Sequence, residues 1–182
     1  MKLVIIRHGQ TDGNVQNMVQ GAGVDLPLNE VGQAQAAEAA EKLSLYRLPI
    51  IYCSQMKRAK QTAEIIAEKL GVSVEAVDGM EEVHFGEAEG MLSEDAHKKY
   101  ADIFEVINNE NDPKRFDVSI PGGETMNQCI ARGVEALEKI SQTSPYETAA
   151  VVTHGALMYN LYYHFFGEPR RFHNCEFFEI EI

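Results

Sequence analysis

Apolar residues fall into short unbroken runs that alternate with longer stretches of helical spacing. A continuous apolar run of four to six residues is typical of a strand buried on both faces of a sheet. We predict such strands at residues 3–6, 50–53 and 148–153, and a further short strand at 74–77. Residues 175–182 differ, because apolar and acidic residues alternate there, and this indicates a strand with one covered face.

Capping residues mark the ends of the helical stretches. Asn29 can cap a helix that runs to about residue 45, and Glu30 favours its first turn. Ser54 can cap a second helix, and Gly71 can close it. The remaining predicted helices are residues 93–109, 124–140 and 156–166, with a polar loop at 108–117.

Strands that alternate with helices indicate an α/β fold with a largely parallel sheet. A chain of 182 residues suits one compact domain with a sizeable core. We therefore predict a single domain over residues 1–182, a three-layer sandwich in which helices flank a central, mostly parallel sheet.

Composition and charge exclude several classes of protein. The net charge of −12 argues against a nucleic-acid-binding role and against docking on anionic lipid. No tract is long and apolar enough to cross a membrane, and the start of the chain lacks the features of a signal peptide. Three separated cysteines form no CxxC pair. We expect a cytoplasmic protein with buried, reduced thiols.

Basic side chains follow several of the predicted strands. Arg7 and His8 follow the first strand, His154 follows the strand at 148–153, and Arg58 lies near the start of a helix. Ligands bind at the carboxyl ends of parallel strands, and the guanidinium group matches phosphate oxygens. If these strands are neighbours, the residues form a phosphoryl site. Each of them taken alone is more often a structural or surface residue.

Residues 4–11 read VIIRHGQT and resemble the RHG signature of the histidine phosphatase superfamily, the phosphoglycerate-mutase-like proteins. Further blocks of the chain are similar to that family in the same order. They are Gln20-Gly21 and residues 25–34, 54–63, 82–90, 121–125, 151–155 and 174–175. Two positions depart from the family, since Gly13 and Ala88 stand where it usually has aromatic residues, and this should reshape the pocket wall.

The resemblance implies a set of roles. His8 would be the nucleophile that carries the phosphoryl group, and Glu82 would be the general acid. Nearby arginines suit that nucleophile, because positive charge disfavours the imidazolium form. The oxygens would be held by Arg7, Arg58 and His154, with further substrate contacts from Asn14, Gln20, Gly21 and Gly155. Glu124 and Thr125 can either line the pocket or begin a helix.

No metal or cofactor is implied, because arginine and histidine would meet the phosphate charge. A metal site that uses His8, His84 and His97 is the alternative, but their spacing matches no standard ligand pattern.

The predicted function is metal-independent hydrolysis of a small phosphomonoester through a phosphohistidine on His8. The alternatives are a phosphoglycerate-type mutase and a phospho-ligand-binding module without turnover.

Mutases of this family usually have insertions over the site, and the only candidate lid here is residues 91–120. Its four basic and seven acidic residues do not favour a substrate with several extra phosphates, and we expect its aromatics to serve packing. The apolar residues of the last strand also allow two chains to pair as a homodimer.

Overall fold

A five-stranded sheet crosses the centre of the molecule. The computed structural model describes residues 1–182. The strands are β1 (Lys2–Arg7), β2 (Ile50–Ser54), β3 (Ser73–Val77), β4 (Thr148–Thr153) and β5 (Phe177–Glu181). Their order in space is β3-β2-β4-β1-β5. The first four are parallel, and β5 runs antiparallel to β1 at one edge.

Helices connect these strands. They are α1 (Asp12–Val15), α2 (Glu30–Leu43), α3 (Lys57–Leu70), α4 (Ser93–Lys99), α5 (Ala101–Asn108), α6 (Met126–Thr143) and α7 (Gly155–Phe166). None of them is both long enough and apolar enough to cross a bilayer.

The sheet separates two apolar cores, because successive side chains of a strand point to opposite faces. In β1, Leu3 and Ile5 pack in a cluster with residues of α6 and α7. Val4 and Ile6 face the other side, in a cluster with residues of α2 and α3. All four side chains are fully buried, as a strand covered on both faces requires. The predicted three-layer α/β fold is confirmed.

Strand register brings the predicted site together. Arg7 at the end of β1 pairs with Thr153 at the end of β4, and β2 lies on the other side of β4. Three parallel strands therefore end at the same edge of the sheet. The residues that follow these ends, including His8, His154 and the first turn of α3, must lie close together.

Two helix starts differ from the predictions. Ser54 is the last residue of β2 rather than a cap, and α3 begins at Lys57 after Met56, whose side chain makes no capping bond. The predicted helix at 124–140 begins at Met126, and Thr125 is its cap, in a capping box with Gln128. Asn29 caps α2 as predicted, because its Oδ1 accepts from the Gly32 N–H at 2.9 Å.

The segment 91–120 carries α4 and α5, which are separated by a break at Tyr100. Tyr100 is buried in a small cluster with Ala88, Ala96 and Ile120, and its hydroxyl donates to Glu87 Oε2 at 2.9 Å. Phe116 packs against Tyr163 of α7. These contacts agree with the expectation that the aromatic residues pack this segment against the body.

The three cysteines are free. Cys53 and Cys129 are buried and Cys175 is half-buried. Burial raises the pKa of Cys53 to about 11 and the pKa of Cys129 and of Cys175 to about 12, so each remains a thiol at neutral pH. The expectation of buried thiols is confirmed for Cys53 and Cys129, but it is wrong for Cys175, which is only half-buried.

The start of α2 lies directly against the loop that carries His8. A Cβ atom built on Gly32 would lie 2.1 Å from the Gln10 carbonyl oxygen, and one built on Gly9 would lie 2.4 Å from the Gly32 carbonyl oxygen. Both neighbours are backbone atoms, which cannot swing away. Glycine at positions 9 and 32 is therefore what lets the two backbones meet.

We predict that Gly32→Ala destabilises the fold and displaces this loop. Overpacking should lower the free energy of unfolding by about 1–3 kcal/mol. Gln33→Ala, an exposed change in the same helix, should stay within about 0.5 kcal/mol of the parent. Urea unfolding measures both variants. Equal stability of Gly32→Ala and Gln33→Ala would contradict the close approach.

Candidate active site

A cavity of about 930 Å³ opens at the carboxyl edge of the sheet. Four predicted catalytic residues line it, namely Arg7, His8, Arg58 and Glu82. The predicted binding residues Asn14, Gln20, Gly21 and Gly155 line it as well. His154 is fully buried behind the wall. The fold thus places almost the whole predicted set around one space.

His8 is held as a neutral imidazole. Its side chain is buried, and its Nδ1 lies 2.6 Å from the Gly9 carbonyl oxygen. A carbonyl can only accept, so Nδ1 carries the proton and Nε2 keeps a lone pair. Burial lowers the pKa of His8 well below its usual value, and the charges of Arg58 and Arg7 lower it further. Nε2 is therefore an unprotonated nitrogen at neutral pH.

Hydrogen bonds with several elements fix the backbone at His8 and Gly9. Its carbonyl accepts from Asn174 Nδ2 at 2.9 Å, and its N–H donates to the Thr153 carbonyl. The Gly9 N–H donates to Thr62 Oγ1 at 2.9 Å. Both Thr62 and Asn174 lie in segments that resemble the family, but sequence reasoning gave neither a function. Only the coordinates show that they position the loop.

Arg58 makes hydrogen bonds that connect several segments of the site. It is 1% exposed. Its Nη1 donates to the Val24 carbonyl and its Nη2 to the Gly21 carbonyl, each at 2.9 Å. Its Nε donates to His154 Nδ1 at 3.1 Å. The first helical turn after β2 is thereby tied to β4 and to the 20–25 loop.

His154 uses both ring nitrogens inside the protein. Because Arg58 must donate, Nδ1 of His154 is the acceptor, and Nε2 carries the proton and donates to Ser54 Oγ at 2.9 Å. Burial lowers the pKa of His154 well below its usual value, and Arg58 adds to this effect. A direct bond from His154 to a phosphoryl oxygen, which the resemblance implies, requires one of these bonds to break. That role stays a prediction.

Arg7 retains most of its hydrogen-bonding capacity. Its Nη1 donates to the Phe172 carbonyl at 2.6 Å, while its buried Nε makes no hydrogen bond. Burial lowers the pKa of Arg7, and Glu82 opposes that effect. A Cβ on Gly155 would lie 3.0 Å from Arg7 Nε, so a glycine here gives the guanidinium its space.

Glu82 sits on the N-terminus of α7. Its Oε1 accepts from the N–H groups of Val83 and Leu157, at 2.9 and 3.0 Å. Its Oε2 accepts a single bond of 3.2 Å from Ala156 N–H. A helix N-terminus attracts a carboxylate, and the contacts fix the orientation of the group. Oε2 has a further lone pair free to take or give a proton.

Two amide side chains are oriented by Thr11. The Thr11 N–H donates to Asn14 Oδ1, and the Thr11 hydroxyl donates to Gln20 Oε1, both at 3.0 Å. The amide nitrogens of Asn14 and Gln20 are left as donors for a ligand. Gly13 leaves space for this Gln20 side chain, because a Cβ on Gly13 would lie 2.6 Å from the Gln20 Cδ.

The other candidate residues from the sequence have different positions in the structure. Glu124 lines the cavity, and its Oε1 accepts from His84 N–H at 3.0 Å. Thr125 instead caps α6. His84 and His97 both line the cavity, but no group of three or more His, Cys, Asp or Glu side chains is arranged to hold a metal ion.

The charge of the cavity wall differs from the charge of the lid segment as a whole. Of the seven acidic residues in 91–120, only Glu110 lines the cavity, and of the four basic residues only Arg115 does. Arg170 and Arg171, from the loop between α7 and β5, join them. The charge count along residues 91–120 therefore does not give the charge of this wall.

The two buried imidazoles should make stability depend on pH. In the unfolded chain both histidines titrate near pH 6.5, whereas folding lowers the pKa of His8 and of His154. Below about pH 6.5 the unfolded state therefore binds more protons, and stability falls as pH falls.

We predict that urea unfolding at about pH 5.5 shows a loss of about 1 kcal/mol per buried histidine relative to about pH 7.5. His154→Gln should remove about half of this dependence, and His164→Ala, an exposed change, should leave it intact. The same dependence in all three proteins would contradict neutral burial.

Comparisons with known proteins indicate one family. Residues 3–181 match the model of the histidine phosphatase superfamily, branch 1. The chain is 36% identical over 157 residues to the uncharacterized phosphatase PhoE of Bacillus subtilis, covering 86% of this chain and 73% of that protein. It is 34% identical over 164 residues to a metal-independent phosphoserine phosphatase of Arabidopsis thaliana, covering 88% and 67%.

The fold is similar to a solved structure of a mycobacterial glucosyl-3-phosphoglycerate phosphatase in complex with VO3. The TM-score is 0.87 at 26% identity, and the match covers 99% of this chain and 92% of that one. A family match over nearly the whole chain, together with the shared fold, settles the family. The chain belongs to the histidine phosphatase superfamily.

Proposed function

We propose that this protein is a metal-independent phosphatase that hydrolyses a small phosphomonoester through a phosphohistidine on His8. The observation that carries the proposal is the uncommitted Nε2 of His8, which faces a cavity lined by Arg7, Arg58 and Glu82. A neutral imidazole with a fixed tautomer is a nucleophile at neutral pH.

In the first step, Nε2 attacks phosphorus in line with the ester oxygen. The N–P bond forms, the P–O bond breaks, and Glu82, which enters this step as a carboxylic acid, gives its Oε2 proton to the leaving alcohol. In the second step, Glu82 takes a proton from water, whose oxygen attacks phosphorus. The N–P bond breaks, inorganic phosphate leaves, and His8 is neutral again.

Guanidinium groups supply positive charge that compensates the negative charge of the transferred phosphoryl group. A guanidinium has five N–H donors. Arg58 uses three of them on Val24, Gly21 and His154, and Arg7 uses one on Phe172. In this proposal the remaining donors, with the amides of Asn14 and Gln20, hold the equatorial oxygens. This arrangement supplies the charge compensation without a metal.

Hydrolysis is favoured over mutase activity for two reasons. The relatives at 36% and 34% identity are named as phosphatases. The cavity of about 930 Å³ also lies near the upper end of the usual range for small-ligand sites, which leaves room for water beside a small ester.

We predict that His8→Ala abolishes phosphate release and leaves the fold intact, because no other side chain offers a free nitrogen at this position. The assay is release of inorganic phosphate from a panel of phosphomonoesters in EDTA. His164→Ala is the matched histidine control. Substantial residual activity in His8→Ala would remove His8 as the nucleophile, and no release by the parent from any ester would favour a mutase or a binding module.

We predict that Glu82→Gln slows esters of alkyl alcohols by about 100-fold or more, the usual contribution of general acid catalysis. p-Nitrophenyl phosphate should be affected much less, because p-nitrophenolate leaves without a proton. Glu81→Gln, a neighbouring carboxylate outside the cavity wall, should not discriminate between the substrates. An equal loss on both kinds of ester in Glu82→Gln would argue against the general-acid role.

A further inference from the structure

Arg132 of α6 binds the segment of chain that carries Glu82. Its Nη1 donates to the carbonyl oxygens of Gly79 and Glu81, at 2.9 and 3.0 Å. Its Nη2 makes a longer bond, of 3.4 Å, to the carbonyl oxygen of Glu82. The Glu81 carboxylate is farther away, at 3.9 Å, so these contacts are mainly with the backbone. Arg132 itself lies outside the cavity wall.

Glu124 holds the same guanidinium as an ion pair. Its Oε2 accepts from Arg132 Nε at 3.2 Å, and its Oε1 accepts from Arg132 Nη2. Such a bidentate contact fixes the orientation of the planar guanidinium. The side chains are 12% exposed for Glu124 and 22% exposed for Arg132, so solvent screens this pair less than a pair on the surface. All five N–H donors of Arg132 thus have acceptors.

Glu124 also binds the chain beyond Glu82. Its Oε1 accepts from the His84 N–H at 3.0 Å, and its own N–H donates to the His84 carbonyl at 2.8 Å. The pair of Arg132 and Glu124 therefore contacts the backbone before, at and after Glu82.

Residues 79–84 form no helix or strand of their own. Buried backbone carbonyls outside regular structure must find other donors. The Thr153 hydroxyl donates to the Met80 carbonyl at 2.7 Å, and Arg132 donates to the neighbouring ones. Side chains of β4 and α6, rather than a backbone ladder, therefore set the path of this segment.

The position of Glu82 matters because proton transfer is sensitive to distance. A general acid must come within about 2.6–3.2 Å of the atom that it protonates, and a displacement of about 1 Å can slow a reaction by about 100-fold. The oxygen that would transfer the proton, Glu82 Oε2, has a single bond of 3.2 Å, from Ala156 N–H. The backbone must therefore supply part of the constraint on that oxygen.

We propose that Arg132, paired with Glu124, is a positioning residue for the general acid. It fixes the backbone at Glu82 so that Oε2 reaches the oxygen of the leaving alcohol, and it touches neither the alcohol nor the transferred phosphoryl group. This inference rests on the proposed phosphatase activity and on the role of Glu82 in it.

The test measures how steeply kcat/KM falls as the leaving alcohol becomes harder to expel, from p-nitrophenyl through phenyl to ethyl phosphate. Arg132→Met should slow ethyl phosphate by about 10- to 100-fold. It should affect p-nitrophenyl phosphate much less, because p-nitrophenolate leaves without a proton. Lys139→Met removes an exposed cation from the same helix and should keep the parent's dependence on the leaving alcohol.

Combining Arg132→Met with Glu82→Gln separates positioning from a general loss of structure. Once residue 82 cannot give a proton, displacing it has no further effect on that step. The double variant should therefore hydrolyse ethyl phosphate about as fast as Glu82→Gln alone, because the two changes remove one function. A purely structural role for Arg132 would give losses that multiply.

Two milder variants supply intermediate values. Arg132→Lys keeps the charge but loses the planar fork, so it should recover part of the rate on ethyl phosphate. Glu124→Gln keeps an oxygen for the His84 N–H and removes the charge that holds Arg132. It should show the selective loss on ethyl phosphate to a smaller extent. Circular dichroism establishes that each variant is folded.

The inference is overturned if Arg132→Met slows ethyl and p-nitrophenyl phosphate equally, or if its loss multiplies that of Glu82→Gln. Should Arg132→Met not fold, Arg132→Lys and Glu124→Gln decide, and the parent's dependence on the leaving alcohol in both would overturn it. Failure of the parent to hydrolyse p-nitrophenyl phosphate would instead refute the proposed phosphatase activity, and the parent's dependence in Glu82→Gln would refute the general-acid role.

Discussion

The buried guanidinium of Arg58 is the interaction on which the site depends. Removing such a cation from water is unfavourable by several kcal/mol unless its donors find acceptors. Here two parts of the chain supply three acceptors, since the carbonyls of Gly21 and Val24 in the 20–25 loop and the Nδ1 of His154 after β4 each accept one bond. The 20–25 loop, the end of β4 and the first turn of α3 therefore cannot separate without exposing an unsatisfied charge.

The protonation of the neighbouring groups follows from that charge. Beside Arg58 and Arg7, and away from water, the neutral forms of His8 and His154 are favoured, and the pKa of each lies well below its usual value. A carboxylate is the complementary group, and Glu82 is held by backbone N–H groups at the start of α7. In the proposed mechanism, one electrostatic environment thus provides a neutral nucleophile, an oriented proton carrier and a binding site for phosphoryl oxygens.

The sequence predicted the fold class and the convergence of the site, because both follow from strand pattern and from the rule that parallel strands end at one edge. Three features of the site could not be predicted from the sequence and were seen only in the structure. Ser54 looked like a helix cap, but it ends β2 and bonds His154. His154 looked like a direct phosphate contact, yet both of its nitrogens have protein partners. The charge count of residues 91–120 concealed that Arg115 faces the cavity while most acidic residues do not. The pattern of residue types predicts at which edge of the sheet a residue lies. It does not predict which atoms accept hydrogen bonds from that residue's side chain.

The most direct test of the central claim is to trap the phosphorylated enzyme. The protein is mixed with p-nitrophenyl phosphate, quenched in alkali within one turnover, and examined by intact-protein and peptide mass spectrometry. Phosphohistidine survives alkali and is lost in acid. The account predicts an acid-labile mass increase of one phosphoryl group on the peptide that contains His8, and none in His8→Ala. Phosphate release by the parent without any such adduct, or an adduct on another residue, would contradict it.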